Sequence, residues 1–267
     1  MPEDSALDLR ALFLEVGNMQ TLAKTWEKAK DNVGFLGVCI AVFAGLFLLA
    51  LLYERLAMKN RKKFSDTHYI SYVAIFSSMA AVLMLIEIPL FFAPSFYKMD
   101  LSELPIMICT FYLGPVAGVT AEFVKVFLKL LIKGTSTAFV GDFANFAVGC
   151  TFVLPASMIY HVSPSRKSAL VGMIVGTLVM TVFGSGFNAL YLIPKFAQLF
   201  HMELDKIVAM GTAVNHRINS VYTLVFYAVV PFNLLKGAII SVLTFLLYKR
   251  ISPIMHRSDA RRQTQKA

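Results

Sequence analysis

Two polar side chains, Asn233 and Lys236, interrupt the last long apolar stretch of the chain, at 223–248. A charge at the centre of a bilayer costs from ~3 kcal/mol on insertion scales to more than ~10 kcal/mol in simulations, so such residues are usually partnered or solvated. An amide and an ammonium group can also hydrogen-bond to a polar molecule. The pattern therefore predicts a polar site inside a helical bundle and indicates a carrier of a polar small molecule.

Other polar residues lie near the ends of other apolar stretches. Asp142 and Asn145 occur early in the stretch at 137–160, and Asn188 lies late in the stretch at 169–193. If these helices pack side by side, the polar groups lie at a similar depth and form a pocket open to the outside, with walls of Phe, Tyr and Met. For each asparagine taken alone, an interhelical hydrogen bond worth ~1 kcal/mol is the alternative interpretation.

A row of charged residues recurs at intervals of three and four along the stretch at 116–132, which places them on one helical face. The row consists of Glu122, Lys125, Lys129 and Lys133. Two interpretations stay open. Either the row faces a ligand, or Glu122 pairs with Lys125 while Lys129 and Lys133 extend to the outer interface.

The composition explains why these polar residues stand out. The chain of 267 residues is 57% hydrophobic and only 15% charged, with a mean hydropathy of +0.67. Soluble proteins contain roughly 25% charged residues. These values predict an integral membrane protein formed by one all-α bundle.

The apolar stretches define the expected helices. The third stretch is short, and the LGPVAG sequence at 113–118 separates it from the fourth, so these two are predicted to form a bent or tightly turned helix pair. The segment 7–30 could form an interfacial helix, and the first stretch is predicted to remain as an extra transmembrane helix rather than a signal peptide. The seven stretches are at 33–56, 68–92, 101–113, 116–132, 137–160, 169–193 and 223–248.

Lysine and arginine residues predict the orientation. They cluster after the first stretch (55–63), after the fifth (166–167) and in the tail (249–266), which places these segments on the cytoplasmic side. The N-terminus and the loops at 93–100 and 195–222 are then outside. The net charge of +9 follows from this topology, with anionic lipid as the expected contact and no nucleic acid. We expect a multi-pass protein of the bacterial plasma membrane.

Several classes of function are disfavoured by residues that the sequence lacks. Cys39, Cys109 and Cys150 lie in apolar segments at unrelated spacings, and no metal-ligand spacing or phosphate-binding loop occurs. A membrane-embedded enzyme acting on a lipid usually carries paired aspartates or a histidine base, which are also missing. We therefore expect no enzyme, no metal and no cofactor. A scaffold subunit without a ligand remains an alternative.

Three segments carry a specific resemblance: 86–118, 134–160 and 230–253. They contain a proline-bounded loop followed by KMDLSELP, the GPVAG turn, the ANFAVG run and PFNLLKG, in this order. In these motifs the chain resembles the riboflavin-binding S components, of the RibU type, of energy-coupling factor (ECF) transporters. The resemblance covers about residues 66–255.

The resemblance implies a six-helix S component that binds riboflavin from outside as its transported ligand. It also implies docking onto a transmembrane coupling subunit and two ATPase subunits. By position, Asn188 and Lys236 are similar to the ligand-contacting residues of the family. Further candidates nearby are Asn233, Asn145 and, in the loop that could close over the pocket, Tyr97, Lys98 and Asp100.

Other expectations follow from the same resemblance. Small residues four apart allow close helix approach, and the family's docking mode would place Ala74, Ser77, Ser78 and Ala81 against the coupling subunit. If Lys125 and Lys129 faced the pocket, a flavin phosphate would be favoured over neutral riboflavin, and another vitamin is a further alternative.

The chain departs from the six-helix pattern at its N-terminus and in the outer loop before the last span. We expect an N-terminal part at 1–65 with the extra helix and a basic loop, a substrate-binding bundle at 66–252 and a basic cytoplasmic tail at 253–267.

Overall fold

The computed structural model describes residues 33–58, 66–94, 96–137 and 139–266; for residue 199 and from residue 249 onward it describes the backbone alone. The expected interfacial helix at 7–30 and the basic residues at 59–63 lie outside the described residues. The backbone of the last helix continues without a break past residue 253, where the tail was expected to begin.

The described residues form an α-helical bundle with one small hairpin. Five helical segments are long and apolar enough to cross a membrane: Val33–Ala57, Thr67–Leu85, Val140–Val162, Arg166–Gln198 and Val221–Tyr248. The prediction of an all-α membrane protein is confirmed. The helices are α1 (Val33–Ala57), α2 (Thr67–Leu85), α3 (Glu103–Leu113), α4 (Pro115–Lys133), α5 (Val140–Val162), α6 (Arg166–Phe187), α7 (Ile193–Leu199), α8 (Leu204–Thr212), α9 (Val221–Leu224) and α10 (Val230–Lys266).

The helices α3 and α4 form the tightly turned pair that the LGPVAG sequence predicts. Helix α3 has 11 residues, about 16 Å at 1.5 Å per residue, so it is too short to cross ~30 Å of hydrocarbon. The chain turns at Gly114, whose φ of 115° lies in a region that L side chains rarely adopt. Pro115 then begins α4, where its missing N–H is tolerated. Helix α4 carries the charged row back toward the start of α3.

Two π-helical turns interrupt the long helices. Asn188–Leu192 joins α6 to α7, and Val225–Val229 joins α9 to α10. In each case a proline follows closely, Pro194 or Pro231. A proline removes one backbone donor and its ring clashes with the carbonyl of the preceding turn, so the helix adjusts just upstream. The two π-helical turns contact each other.

The outer segments are more regular than the sequence suggests. The prediction of a loop at 195–222 was wrong in part, because this segment contains the end of α7 and all of α8. Helix α8 buries Ile207, Val208 and Gly211. A helix of nine residues is too short for the spacing of its apolar residues to identify this buried face from the sequence. The loop at 93–100 lies within a hairpin of strands β1 (Ile88–Pro89) and β2 (Lys98–Met99), paired antiparallel with Ile88 opposite Met99.

Helices α5 and α6 pack closely through glycines. A Cβ atom at Gly176 would lie 2.4 Å from the carbonyl oxygen of Phe152, and one at Gly172 would lie 2.6 Å from that of Ala156. Both distances are shorter than any van der Waals contact. The small residues therefore set the distance between two helices that both line the site described below.

We predict that Gly176→Ala lowers the free energy of unfolding by about 1–3 kcal/mol, because the added methyl group forces α5 and α6 apart. The matched control is Gly45→Ala on α1, where no atom lies within 4 Å of the added Cβ. Thermal unfolding of the purified proteins in detergent measures both. Equal unfolding temperatures for the two variants would contradict the close packing.

Candidate functional site

A cavity of about 170 Å³ lies between the first turns of α5 and α10, the end of α6, and the hairpin. It is at the end of the bundle opposite Arg166, where α6 begins and α5 has ended. The predicted orientation places that end outside. The structure thus brings together polar groups from sequence segments that lie far apart.

Six of the seven predicted substrate-binding residues line the cavity, and the seventh does not. Asp100 lies behind the wall, buried, and contacts Lys236 instead of the cavity. The reason is geometric: β2 ends at Met99, and the chain turns inward to begin α3. The six lining residues are Asn188, Lys236, Asn233, Asn145, Tyr97 and Lys98.

Lys236 is held by two carboxylates. Its Nζ lies 3.2 Å from Oδ2 of Asp100 and 3.0 Å from Oε2 of Glu103. The Nδ2 of Asn145 donates to the same Oδ2 of Asp100 at 3.2 Å. These contacts tie α10 and α5 to the start of α3. The ammonium group of Lys236 therefore lies at the cavity with its charge compensated by these two carboxylates.

Glu103 continues the network deeper into the bundle. Its Oε1 lies 3.4 Å from Nζ of Lys125, which lies 2.5 Å from Oε2 of Glu122. Lys125 and Glu122 are fully buried. The network therefore contains three carboxylates and two ammonium groups from α4, α10 and the start of α3.

This network settles the two interpretations of the charged row. Glu122 does pair with Lys125, but Lys129 does not extend to the interface: it is buried, with its Nζ 2.5 Å from Oδ1 of Asp142. Lys133, at the end of α4, lies 3.0 Å from Glu87. None of these residues lines the cavity. The row therefore connects α4 to neighbouring elements and does not line this cavity.

Asp100 begins the network outside the membrane-spanning helices. The backbone N–H of Ser102 donates to its Oδ1 at 2.9 Å, and the Ser102 hydroxyl donates to the same oxygen. Burial alone would raise the pKa of Asp100, but the charges of Lys236 and Lys125 and the Ser102 hydrogen bonds hold it below its ordinary value. Asp100 is therefore a carboxylate at neutral pH, which agrees with its ion pair with Lys236.

The hairpin is attached to the rim of the cavity at two points. The hydroxyl group of Tyr97 donates to Oδ1 of Asn188 at 2.8 Å, and Glu87 forms ion pairs with Lys98 at 2.5 Å and with Lys133. Burial alone would raise the pKa of Glu87, but the two lysines lower it. The ion pairs thus persist at neutral pH and connect the hairpin to the end of α4.

Two polar atoms of cavity-lining residues are buried without a hydrogen-bond partner in the described part of the chain. They are Oδ1 of Asn145, an acceptor, and Nδ2 of Asn233, a donor. A buried polar atom without a partner costs about 1–3 kcal/mol. Both atoms are buried in the cavity wall, and Nδ2 of Asn233 lies beside Gly184 of α6, so a ligand would reach them after rotation of the side chains.

The sequence analysis missed part of the site. Glu103 lines the cavity beside Lys236. The DLSE run at 100–103 could have identified it, because this run places two carboxylates at the depth of two lysines that need partners. Thr137 and the aromatic residues Phe96, Phe196 and Phe232 also line it. No local pattern separates these aromatic residues from the many others of a membrane protein.

The structure divides the four predicted docking residues into two pairs. Ala74 and Ser78 are exposed on α2, but Ser77 and Ala81 are buried in the bundle. Residues three apart on a helix point in directions that differ by about 60°. On α2 this difference places Ala74 and Ser78 at the surface and Ser77 and Ala81 in the core. The prediction is therefore wrong for Ser77 and Ala81, and of the four residues only Ala74 and Ser78 are on the exposed face of α2.

Comparison with known proteins identifies the family. The family model described as "ECF transporter, substrate-specific component" matches residues 68–248. The chain belongs to this family. It is thus a transporter subunit and no enzyme, and its multi-pass membrane location follows from the five spans. Helix α1 precedes the matched region.

Individual relatives agree with this assignment. Riboflavin transporter RibU of Staphylococcus aureus (strain TCH60) is 33% identical over 185 residues, which is 69% of this chain and 90% of that protein. Riboflavin transporter FmnP of Bacillus subtilis (strain 168) is 31% identical, over 68% of this chain and 90% of that protein. A solved structure of the S component of a bacterial ECF transporter has a TM-score of 0.56 and 32% identity, covering 70% of this chain and 97% of that one.

We predict that Lys125→Met strongly destabilises this S component, by about 3–5 kcal/mol, because it leaves Glu122 and Glu103 buried without their shared cation. The double variant Lys125→Met/Glu122→Gln should recover part of this loss. Thermal unfolding in detergent measures both. An unfolding temperature for Lys125→Met equal to that of the unmodified protein would show that the network does not stabilise the fold.

Proposed function

We propose that this chain is the riboflavin-specific S component of an ECF importer in a bacterial plasma membrane. It binds riboflavin from the outside and delivers it inward together with a transmembrane coupling subunit and two ATPase subunits, surrounded by membrane lipid. The relatives named above are riboflavin transporters, and the cavity offers groups that suit this ligand. Riboflavin is cargo in this proposal, and no cofactor takes part.

The observation that carries the choice of ligand is the pair of unpaired amide atoms, Oδ1 of Asn145 and Nδ2 of Asn233. The pyrimidine edge of riboflavin alternates hydrogen-bond donors and acceptors. Rotation of the two side chains would turn this acceptor and this donor toward such an edge, and each would gain the partner it lacks in the empty protein.

The apolar part of the cavity suits the flat ring system. Phe96, Tyr97 and Phe232 line it, and the ring centroids of Tyr97 and Phe232 are 5.8 Å apart. Aromatic walls with a few placed polar groups are typical of small-molecule sites. Lys236 and Asn188 lie at the same cavity and are the proposed partners of the remaining polar groups of the ligand.

The charges favour a neutral flavin over a flavin phosphate. The cations that line the described cavity are Lys98 and Lys236, and both are paired with carboxylates. A phosphate group would compete with Glu103 and Asp100 for Lys236 and leave buried negative charges without compensation. Riboflavin itself adds no charge.

The hairpin is the proposed lid. Its closed position depends on the hydrogen bond from Tyr97 to Asn188 and on the ion pair of Glu87 with exposed Lys133 at the end of α4. These few contacts can break at low cost, because an exposed ion pair contributes only about 0–1 kcal/mol. Opening would expose the cavity to the outside, and closure would separate the bound ligand from water.

Asn233→Ala should raise the riboflavin dissociation constant about tenfold or more, because it removes a buried hydrogen bond to the ligand. The stability of the empty protein should change little, since Nδ2 has no protein partner to lose. Asn219→Ala is the matched control, because Asn219 is exposed and lies outside the cavity. Quenching of riboflavin fluorescence measures binding, and equal affinity of Asn233→Ala and the control would reject the proposed contact.

Flavin mononucleotide should bind about tenfold more weakly than riboflavin, or weaker still, because its phosphate meets cations that are already neutralised. Competition between the two flavins in the fluorescence assay measures the difference. Equal or tighter binding of the phosphate would favour a flavin-phosphate carrier. No response to either flavin would reject the flavin site and favour another vitamin.

A further inference from the structure

Helix α1 precedes the family-matched region, residues 68–248, yet it packs on α4 and α5. Most of its side chains are exposed to the surroundings of the bundle, and its buried residues are Phe35, Ala50 and Glu54. A buried carboxylate is costly on an otherwise apolar membrane helix. The partner of Glu54 therefore indicates what α1 does.

Glu54 caps α4 from outside that helix. Its Oε1 accepts a hydrogen bond from the backbone N–H of Val116 at 2.9 Å. The first N–H groups of a helix have no partner within the helix. Here Pro115 has no N–H, and Gly114, at the cap position, has no side chain to accept one. A carboxylate near a helix N-terminus is also favoured by the helix dipole.

The turn at Gly114 is shaped to admit Glu54. A Cβ atom at Gly114 would lie 2.6 Å from Oε1 of Glu54, and the φ of 115° disfavours any other residue. The preceding residue of α1, Tyr53, donates from its hydroxyl group to the carbonyl oxygen of Met158 at 2.6 Å. The end of α1 is thus bound to both α4 and α5.

The other end of α1 lies against the wall of the cavity. The ring of Phe35 contacts that of Phe143 edge-on, with centroids 5.5 Å apart, and stacks on that of Tyr191 at 6.4 Å. Tyr191 belongs to the π-helical turn that carries Asn188. In the middle of the helix, the ring of Phe43 lies 4.6 Å from that of Phe123 on α4.

We propose that Glu54 is a positioning residue for the binding site. By capping α4, it fixes the helix that carries Glu122 and Lys125, and so keeps Lys125 at Glu103, which in turn holds Lys236 at the cavity. Helix α1 then contributes to the geometry of the binding site of this S component. The effect on ligand affinity rests on the proposed riboflavin function, whereas the effect on α4 does not.

Hydrogen–deuterium exchange of the full-length, ligand-free protein tests the cap directly. Glu54→Leu removes the acceptor at similar volume, Glu54→Asp keeps the charge but shortens its reach, and Glu54→Gln keeps the acceptor without the charge. We expect the first two to speed exchange of the amides at 116–118 about tenfold and Glu54→Gln to change it less than about threefold. Tyr53→Phe is the control, since it loosens α1 at Met158 without touching the cap.

Riboflavin affinity of the same proteins tests the link to the site. Glu54→Leu and Glu54→Asp should raise the dissociation constant about threefold to tenfold, while Glu54→Gln and Tyr53→Phe should not. If Glu54→Leu does not fold, Glu54→Asp carries the test. Unchanged exchange and affinity in Glu54→Asp, or a Glu54→Gln protein that behaves like Glu54→Leu, would overturn the proposal. Loss of riboflavin binding in the unmodified protein would instead reject the proposed function and leave the exchange result interpretable.

Discussion

Glu103 contacts two ammonium groups, Lys125 through one carboxylate oxygen and Lys236 through the other. In the low-dielectric interior of a membrane protein, each of these charges depends on the others, because removing one leaves its partner buried without compensation. The constraint is structural, since Lys125 is on α4, Lys236 is on α10, and Glu103 begins α3. The short helix α3 is held between two longer helices by charge as well as by packing. The same contacts place an ammonium group at the cavity without leaving it free to attract an anion.

The cavity lies where π-helical turns interrupt the regular α-helices. Both π-helical turns border it, through Asn188 and Leu192 on one side and Val229 on the other. A π-helical turn shifts the following side chains around the helix axis, and such turns are frequent at functional sites. Here they follow from Pro194 and Pro231, which prevent regular hydrogen bonding upstream. The two prolines thus remove regular backbone hydrogen bonds in the same part of the bundle in which polar side chains from different helices meet.

Helix α1 shows how a membrane fold can gain an element at little cost. Most of its side chains are exposed at the outside of the bundle, and its length and apolar composition are those of a membrane span. Its specific contacts are few: one carboxylate at the Gly114 turn, one tyrosine hydroxyl at Met158 and a group of aromatic rings along α4 and α5. Helix α2, which carries the exposed residues Ala74 and Ser78, also packs on α4.

The sequence by itself determined the class of protein, the approximate helices and most of the polar residues at the cavity. Apolar runs long enough to cross a bilayer predict spans with little ambiguity, and Asn188, Asn233 and Lys236 are conspicuous because polar groups are costly in such runs. Only the tertiary structure decided which charges pair. It assigned Lys125 to Glu122 and Glu103, Lys129 to Asp142, and Asp100 to the back of the wall. It also separated buried Ser77 from exposed Ser78. The physical reason is that spacing along one helix gives the face a residue occupies, whereas its partner depends on the rotation and depth of other helices.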